Sequence, residues 1–428
     1  MLVGAAIAYR DSREEGSTPV LRGSSTNEFV TTATRPSRES SRTGEWATYG
    51  YDLARTHVAP SSFQLRPPYR RIWARRIHDW VEFPPSVAYG NVYVGRLDGV
   101  LVAFAGATGK QAWWRSFKPY CTFASPTLAH GILYETFLPP PCDHGDRSKD
   151  GLTVALDARS GRVLWRYRGP ASESAPLVRA GTLYEGSWNH RLYALDVRGR
   201  RARVRWSFSG DAELNSSPAY AAGTIYIGST GGRLYAVDAR TGRERWHASG
   251  YSTEDFYATP TIAYGRVFVG NTDGTVYAFG AVTGHLLWAA HAGTYVYTAA
   301  AVWRRTVYVG SYDGNVYAFD AATGATRWKQ NLGGSIHGAP TVMAGLVYFS
   351  TCGTCGRHGS RYAKLGPRRT FALDTRTGRI VWRFPDGHYS PVVADGRRLY
   401  LMGDTTLYAL AACGGSGSGT AAGSSSCA

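Results

Sequence analysis

A tryptophan returns along this sequence at a nearly constant interval. Most intervals are 40–42 residues and two are longer, and each contains four short apolar runs. One unit of this size cannot bury its own faces, so neighbouring units must stack on one another. The pattern predicts an all-β fold, an eight-bladed β-propeller of four-stranded antiparallel blades. The eight positions are Trp73, Trp113, Trp165, Trp206, Trp246, Trp288, Trp328 and Trp382.

A tight turn precedes most of these tryptophans. In one unit Asp238, Gly242 and Trp246 mark the turn and the strand that follows it. An Asp carboxylate accepts backbone N–H groups of such a turn, and Gly supplies the positive φ that the turn needs. We expect each indole ring to bury against the neighbouring blade while its N–H finds a carbonyl oxygen. The tryptophans are therefore predicted to dock the blades onto one another.

The phrase Ala-x-Asp-x-x-Thr-Gly-x-x-x-Trp occurs at 236–246 and again at 318–328. It resembles the tryptophan-docking repeat of the pyrroloquinoline-quinone (PQQ) propeller superfamily, and the resemblance covers residues 70–411. That superfamily contains quinoprotein alcohol dehydrogenases, outer-membrane assembly lipoproteins of the BamB type, and many extracytoplasmic propellers. The repeat residues hold blades together, so the resemblance implies the fold and leaves the function open.

The two ends of the repeat region are incomplete. Trp73 has no hairpin before it, and the run 407–410 has no tryptophan after it. We expect the strand around 71–75 to pair with the C-terminal strands, which closes the ring and leaves no open edge.

The segments outside the repeats differ in composition. Residues 1–10 resemble the end of a signal anchor, although an ordinary disordered leader is the alternative, and residues 11–44 read as a Ser/Thr/Arg linker. Residues 45–69 are predicted to be an extended lead-in, and residues 412–428 a Gly/Ser-rich tail. These features predict a monomer of the cell envelope that is membrane-anchored or secreted.

Six cysteines form three pairs that are close in sequence: Cys121 with Cys142, Cys352 with Cys355, and Cys413 with Cys427. An even number and local pairing favour disulfides in an oxidising compartment, although spacing does not fix the connectivity. Metal ligation by Cys352, Cys355 and His358 is the alternative.

The formal charge of +17 comes mainly from arginines that are spread over all blades. Such a surface attracts polyanions, but the sequence has no nucleic-acid-binding motif and no dense basic stripe. We expect no specific nucleic-acid partner.

The topology of a four-stranded blade predicts where a binding site lies. The loop that enters the innermost strand and the loop between the second and third strands share one face, and the insertions at 137–151 and 352–369 fall on that face, in blades 2 and 7. The entering loops supply one residue per blade at the mouth of the central channel. A mixed polar and aromatic ring suits a polar ligand, whereas the alternative is a mouth that holds only water. The eight residues are Glu82, Phe123, Glu173, Asn215, Tyr257, Tyr297, His337 and His388.

The resemblance also implies a catalytic alternative. In quinoprotein dehydrogenases PQQ sits on the axis with Ca²⁺ and an Asp base, and Glu173, Asn215 and Asp255 offer oxygen ligands and a base on successive blades. This sequence lacks the adjacent cysteines of those enzymes. We therefore favour a non-catalytic, BamB-like scaffold that needs no cofactor and binds a protein or an envelope polymer on the face with the insertions.

Overall fold

The structure is a computed structural model that describes residues 45–142, 150–353, 355, 366–389 and 391–413. Eight four-stranded antiparallel sheets follow one another around a ring, as the sequence predicted. The described residues contain no helix, and thus no apolar helix of membrane-spanning length. The predicted anchor end, the linker 11–44, His358 and most of the Gly/Ser-rich tail lie outside the described residues.

The strands are numbered along the chain, and each blade begins with its innermost strand. Blade 1 contains β2 (Ser86–Ala88), β3 (Asn91–Gly95), β4 (Val100–Ala105) and β5 (Gln111–Ser116). Blade 2 contains β6 (Thr127–Ala129), β7 (Ile132–Phe137), β8 (Gly151–Asp157) and β9 (Val163–Gly169). Blade 3 contains β10 (Leu177–Arg179), β11 (Thr182–Gly186), β12 (Arg191–Asp196) and β13 (Arg203–Ser209). Blade 4 contains β14 (Ala219–Ala221), β15 (Thr224–Gly228), β16 (Arg233–Asp238) and β17 (Glu244–Ser249).

Blade 5 contains β18 (Thr261–Ala263), β19 (Arg266–Gly270), β20 (Thr275–Gly280) and β21 (Leu286–His291). Blade 6 contains β22 (Ala301–Trp303), β23 (Thr306–Gly310), β24 (Asn315–Asp320) and β25 (Thr326–Asn331). Blade 7 contains β26 (Thr341–Met343), β27 (Leu346–Thr351), β28 (Arg369–Asp374) and β29 (Ile380–Phe384). Blade 8 contains β30 (Val393–Ala394), β31 (Leu399–Met402), β32 (Thr406–Ala412) and β1 (Tyr69–Arg76).

Both ends of the chain build blade 8. Its strand order is β30-β31-β32-β1, and β1 pairs with β32 from Tyr69 opposite Ala412 to Arg76 opposite Thr406. The predicted closure of the ring is confirmed. Because the first and last strands pair with each other, the fold has no gap between blades 8 and 1 at which another strand could add.

The disc has two faces, which carry different connections. We call the mouth face the one that holds the loops entering each innermost strand and the loops between second and third strands. We call the turn face the opposite one, which holds the turns between first and second and between third and fourth strands. The strand ends that flank the two predicted insertions lie on the mouth face, at Phe137 and Gly151 in blade 2 and at Thr351 and Arg369 in blade 7. Residues 143–149, 354 and 356–365 of the insertions are outside the described residues.

The docking tryptophans contact the turn of the next blade. The Trp246 indole N–H donates to the Ala281 carbonyl oxygen at 3.1 Å, and the Trp113 indole N–H donates to the Ala158 carbonyl oxygen at 2.9 Å. The turn itself is held by its Asp, since Asp238 Oδ1 accepts the Thr241 N–H at 2.8 Å. These contacts match the expectation from the repeat.

The lead-in fills the centre of the ring, and this part of the chain is not extended as expected. Residues 46–57 make tight turns in which Tyr51, Arg55 and His57 have positive φ. Backbone carbonyls of this segment accept N–H groups from the innermost strands of six blades, so the segment satisfies strand edges that would otherwise face the channel. The donors are Val87, Leu128, Tyr220, Ile262, Val302 and Val342, and the acceptors are Trp46, Ala47, Leu53, Ala54, Thr56 and His57, respectively. We call residues 46–59 the plug.

Arg55 anchors the plug to blades 3 and 4, and the plug backbone does not bond the first of these. The guanidinium is fully buried and donates to the carbonyl oxygens of Pro218 at 3.0 Å and Pro176 at 3.4 Å. Within the plug it donates to Tyr49 O at 2.5 Å. A buried guanidinium is tolerated when its donors find acceptors in this way.

Two disulfides are present among the described residues. Cys121 pairs with Cys142, with Cα atoms 5.8 Å apart, and Cys352 pairs with Cys355. Both predicted pairings are therefore confirmed. Cys427, the expected partner of Cys413, lies outside the described residues.

Candidate functional site

A small cavity lies on the mouth face where the entering loops meet. Its volume is about 30 Å³, which is room for about two water molecules. Seven of the eight residues predicted to ring the channel mouth line this cavity, because each occupies the equivalent position in the loop that enters its blade. They are Glu82, Phe123, Glu173, Asn215, Tyr257, Tyr297 and His337. Their role in ligand binding remains a prediction.

Three of these residues form one wall of stacked rings. The Tyr257 and Tyr297 rings stack with centroids 4.5 Å apart, and the Tyr297 and His337 rings stack with centroids 4.3 Å apart. The rings come from blades 5, 6 and 7 and follow the curve of the mouth. A wall of this kind offers π faces to a planar or cationic ligand.

Two carboxylates in the cavity are hydrogen-bonded to this wall. Glu173 Oε1 accepts a hydrogen bond from the Tyr257 hydroxyl. Glu82 Oε1 lies 3.2 Å from His337 Nε2, and the other ring nitrogen of His337 lies 2.5 Å from the Tyr312 hydroxyl. Because a carboxylate only accepts, His337 donates from Nε2 to Glu82, and in the tautomer with its proton on Nε2 the Nδ1 atom accepts from the Tyr312 hydroxyl. The carboxylates are thus held in fixed orientations.

The tyrosines of the wall keep their protons. Burial raises the pKa of the Tyr257 hydroxyl well above its usual value, and the nearby Glu173 carboxylate raises it further. Burial also raises the pKa of Tyr297 well above its usual value. Neutral hydroxyls remain hydrogen-bond donors, so the negative charge of the cavity resides on the carboxylates.

His388, the eighth predicted residue, does not line the cavity. It is fully buried, with Nδ1 at 4.0 Å from Cys352 Sγ and 3.9 Å from Asp404 Oδ1. Tyr389 stands between it and the mouth, since the Tyr389 ring contacts both His388 and His337. Burial, followed by the Arg368 charge, lowers the pKa of His388 to about 4. His388 is therefore neutral at pH 7.

The floor of the cavity comes from the plug, which the sequence did not assign to a site. Tyr49 lines the cavity, and its ring contacts Phe83 at 5.3 Å. Below it the Arg55 guanidinium lies 5.6 Å from the Tyr49 ring centroid. The only signal in the sequence was an unusual share of aromatic residues in a segment read as a lead-in. The plug closes the inner end of the cavity.

A larger cavity of about 400 Å³ adjoins the small one, and the two share several lining residues. Its remaining lining residues include Glu213, Asp255, Trp188 and Cys142. Burial raises the pKa of Asp255 to about 6, and the neighbouring Glu254 charge contributes to this rise. At pH 7 Asp255 is mostly ionised, so four carboxylates face the combined space.

The Cys121–Cys142 disulfide shapes one side of this larger cavity. Cys142 lines the cavity at the end of the Pro139–Pro141 arm, and the backbone of Cys121 pairs with that of Leu138. The arm is therefore pinned at both of its ends beside the mouth, as the pairing of these cysteines predicted.

All three residues of the catalytic alternative line the larger cavity. Glu173 and Asn215 line both cavities, whereas Asp255 lines the larger one alone. Among the described residues, no three His, Cys, Asp or Glu side chains stand close enough to share a metal ion.

Comparison with models of known protein families identifies one family. The profile of the family described as outer membrane protein assembly factor BamB matches residues 145–249, 189–302 and 273–422. No curated protein sequence compared with the chain matches it.

Solved structures share the fold. BamB from Moraxella catarrhalis superposes with a TM-score of 0.63 and 17% identity, over 80% of this chain and 97% of that one. The quinohemoprotein alcohol dehydrogenase ADHIIG from Pseudomonas putida HK5 gives 0.70 and 13%, over 90% and 82%. The quinohemoprotein alcohol dehydrogenase of Comamonas testosteroni gives 0.66 and 14%, over 87% and 81%. At these identities the likeness extends to the fold alone.

Proposed function

This chain belongs to the family of the outer membrane protein assembly factor BamB, and from this premise we propose that it is a non-catalytic binding scaffold of the cell envelope. The mouth face, with its cavity and two insertions, captures a segment of a protein partner. The proposal places the domain outside the cytoplasm, where an oxidising environment suits its disulfides. Residues 1–10 tether it to a membrane.

One observation carries the proposal: a blind cavity with aromatic walls and fixed carboxylates at the centre of a strongly basic protein. Glu82 and Glu173 lie in the small cavity, and Glu213 and Asp255 in the larger one. Carboxylates beside stacked rings favour a cationic group, such as a lysine or arginine side chain. The bound segment of the partner is therefore expected to be basic.

Short basic peptides test this assignment. With a net charge of +17 the protein as a whole repels them, so binding would report the local site rather than the average surface. We expect an acetylated, amidated peptide containing several arginines to bind, and its glutamate counterpart not to bind. Glu82→Gln with Glu173→Gln should weaken binding at least tenfold by calorimetry, whereas Glu244→Gln, at an exposed position on the outermost strand β17, should not change it. Equal weakening in the double variant and in this control would contradict the proposal.

The dehydrogenase alternative has its own test. PQQ and Ca²⁺ are added to the purified protein, and a bound chromophore and dye reduction with alcohols or sugars are measured. On the scaffold proposal neither appears. Tight PQQ binding that Glu173→Ala abolishes would replace the scaffold with a quinoprotein dehydrogenase, with Asp255 as its candidate base.

A further inference from the structure

One face of the disc carries a large group of basic residues. Basic residues recur in the turns of the turn face, two to a turn in several blades, and nearly all of their side chains are exposed. They are Lys110, Arg159, Arg162, Arg198, Arg200, Arg201, Arg240, Arg243, Arg304, Arg305, Arg376, Arg379, Arg397 and Arg398.

The carboxylates on the turn face are already engaged. Asp238 pairs with Arg245 at 2.7 Å, and Asp320 pairs with Arg327 in the same way. Both arginines come from fourth strands and not from the turns. Of the turn arginines, Arg198 pairs with Asp196 and Arg398 pairs with Asp395. Basic residues still outnumber the carboxylates at these turns, so the turn face keeps an excess of positive charge.

The mouth face has the opposite charge. Among the described residues of its loops the only Lys or Arg side chains are Arg96, Lys118 and Arg368. Carboxylates outnumber them several-fold in the same loops. They are Asp79, Glu82, Asp98, Asp150, Glu173, Asp211, Glu213, Glu254, Asp255, Asp273, Asp313, Asp386 and Asp404. Over the residues that the structure describes, the disc is thus polarised along its axis, with an acidic face and a basic face.

The described part of the chain both begins and ends on the basic face. The Glu45 carboxylate accepts the backbone N–H of Tyr89, in a turn of blade 1. The backbone N–H of Cys413 donates to the carbonyl oxygen of Pro68, which precedes β1 on the same side of blade 8. The preceding segment, with the anchor of the proposed function, is therefore attached beside the exposed arginines.

We propose that the turn face docks on an anionic lipid bilayer and holds the mouth face toward the partner. Guanidinium groups bind lipid phosphates through paired N–H donors. Juxtamembrane arginines are attracted by anionic leaflets over distances of about a Debye length. The turns of a propeller end at a common level, so many arginines reach a flat surface together. A tether attached on the same face would keep the turn face close to the bilayer. Only the tether in this inference depends on the proposed function.

A lipid surface fits this arrangement better than a nucleic acid. The arginines surround a disc, whereas a duplex would need a stripe or a groove that follows its two backbones. The turns carry only two aromatic residues, Tyr89 and Tyr264, and their hydroxyls accept the backbone N–H groups of Gly131 and Arg305 in the next blade. These two rings are too few and too far apart to form a stacking platform for single-stranded bases.

Vesicle sedimentation with the full chain tests the proposal. Vesicles of phosphatidylglycerol and phosphatidylcholine are compared with phosphatidylcholine alone, each at low and high salt. We expect binding only to the anionic vesicles and release at about 0.5 M NaCl, where charges are screened. The triple variant R200Q/R201Q/R240Q should partition roughly 10- to 100-fold less strongly. The charge-matched triple R96Q/K118Q/R233Q, whose residues lie at the mouth face, should stay within about twofold of the wild type.

Three outcomes would overturn the inference. An equal loss in both triple variants would mean that net charge and not the turn face governs binding. If binding resists salt and neither triple variant changes it, the N-terminal segment is responsible for membrane binding. That result would support the tether and contradict the docking role of the turn face. Tighter binding to duplex DNA than to anionic vesicles at the same salt would assign the face to a nucleic acid. Failure of the basic-peptide test would contradict the proposed function and leave this result standing.

Discussion

A β-carbon on Gly324 would lie 2.8 Å from Cδ2 of the Trp288 indole, which reaches across from the preceding blade. The same pairing joins Gly284 with Trp246 and Gly378 with Trp328. Gly324 also has a φ of +74°. Glycine is thus required at the turn for two reasons. The backbone has a positive φ, and the indole lies so close that a β-carbon has no room.

Loss of the indole should destabilise the ring. Trp288 is 1% exposed, and its N–H donates to the Ala321 carbonyl oxygen at 3.1 Å. We expect Trp288→Ala to lower the free energy of unfolding by about 3–5 kcal/mol, because it leaves a cavity and an unpaired carbonyl between two blades. Urea unfolding followed by tryptophan fluorescence and circular dichroism measures the loss, and a change below about 1 kcal/mol would argue against the docking role.

The two requirements on Gly324 can be separated with a second glycine. Gly345 has a φ of +78°, but a β-carbon there would meet no atom within 4 Å. We expect Gly345→Ala to cost about 1–2 kcal/mol from the backbone conformation alone. Gly324→Ala should cost clearly more, because the indole must also move. Equal losses in the two variants would show that the indole adapts without cost.

The Cys121–Cys142 disulfide should stabilise the fold and its mouth. It closes a sequence separation of 21 residues, for which loop entropy predicts about 3 kcal/mol. The double variant with serine at both positions should lose about this much stability and show faster hydrogen exchange in 138–142. The same change at Cys352 and Cys355, three residues apart, should cost only about 1.5 kcal/mol. A larger loss at the shorter loop would contradict the entropy argument.

Glu185 should make the stability depend on pH. Its carboxyl is fully buried, accepts the Thr153 hydroxyl at 3.0 Å, and has a pKa that burial raises to about 7. The folded protein therefore keeps a proton that the unfolded chain releases above a pH of about 4.5, and the Glu185 contribution to stability falls as the pH rises from about 4.5 to 7. Glu185→Gln should match the wild type near pH 4.5 and exceed it by up to about 3 kcal/mol at pH 8.

Urea unfolding at both pH values checks this sign. Glu244→Gln, at an exposed position on β17, serves as the control and should leave the pH dependence unchanged. A gain in stability from Glu185→Gln that is equal at both pH values would indicate that protonation of this carboxyl is not coupled to folding.

Arg55 should hold the plug in the channel. Arg55→Met keeps the length of the side chain but leaves the Pro218 and Tyr49 carbonyl oxygens without the guanidinium, and we expect a loss of about 3 kcal/mol. Hydrogen exchange should accelerate at N–H groups that the plug accepts, such as those of Tyr220 and Ile262. Arg76→Met, at the exposed end of β1, should change stability by less than about 0.5 kcal/mol. Unchanged exchange would mean that the plug stays in place without Arg55.

The sequence predicted the blades, their number and the closure because these features repeat. Eight copies of one spacing constrain the architecture more tightly than any single strand does, and Trp73 without its hairpin indicated where the ring closes. The plug does not repeat. Its residues, such as Tyr49 and Arg55, take their conformation from carbonyl and N–H groups of several blades, which no local pattern reveals.

The site was predictable to the extent that it follows the repeat. Tyr257, Tyr297 and His337 occupy equivalent positions of successive entering loops, so counting from the innermost strand placed them at the mouth. His388 occupies the same position in sequence, but Tyr389 takes its place against His337. The hydrogen bond from Tyr257 to Glu173 joins blades 5 and 3 across the mouth. These two residues are far apart in the sequence, and the spacing of the repeat does not predict that they meet.

The pairing of β1 with β32 sets an order for folding. The first strand of the ring leaves the ribosome more than 300 residues before its partner, so blade 8 cannot form until synthesis of the domain is nearly complete. The plug meets its own hydrogen-bond donors one blade at a time, as each innermost strand appears. Until β32 arrives, blades 1 and 7 expose docking surfaces with nothing against them, and folding rates should be limited by this long-range closure. A chaperone that covers these two surfaces, or rapid export before folding, would protect the chain during that interval.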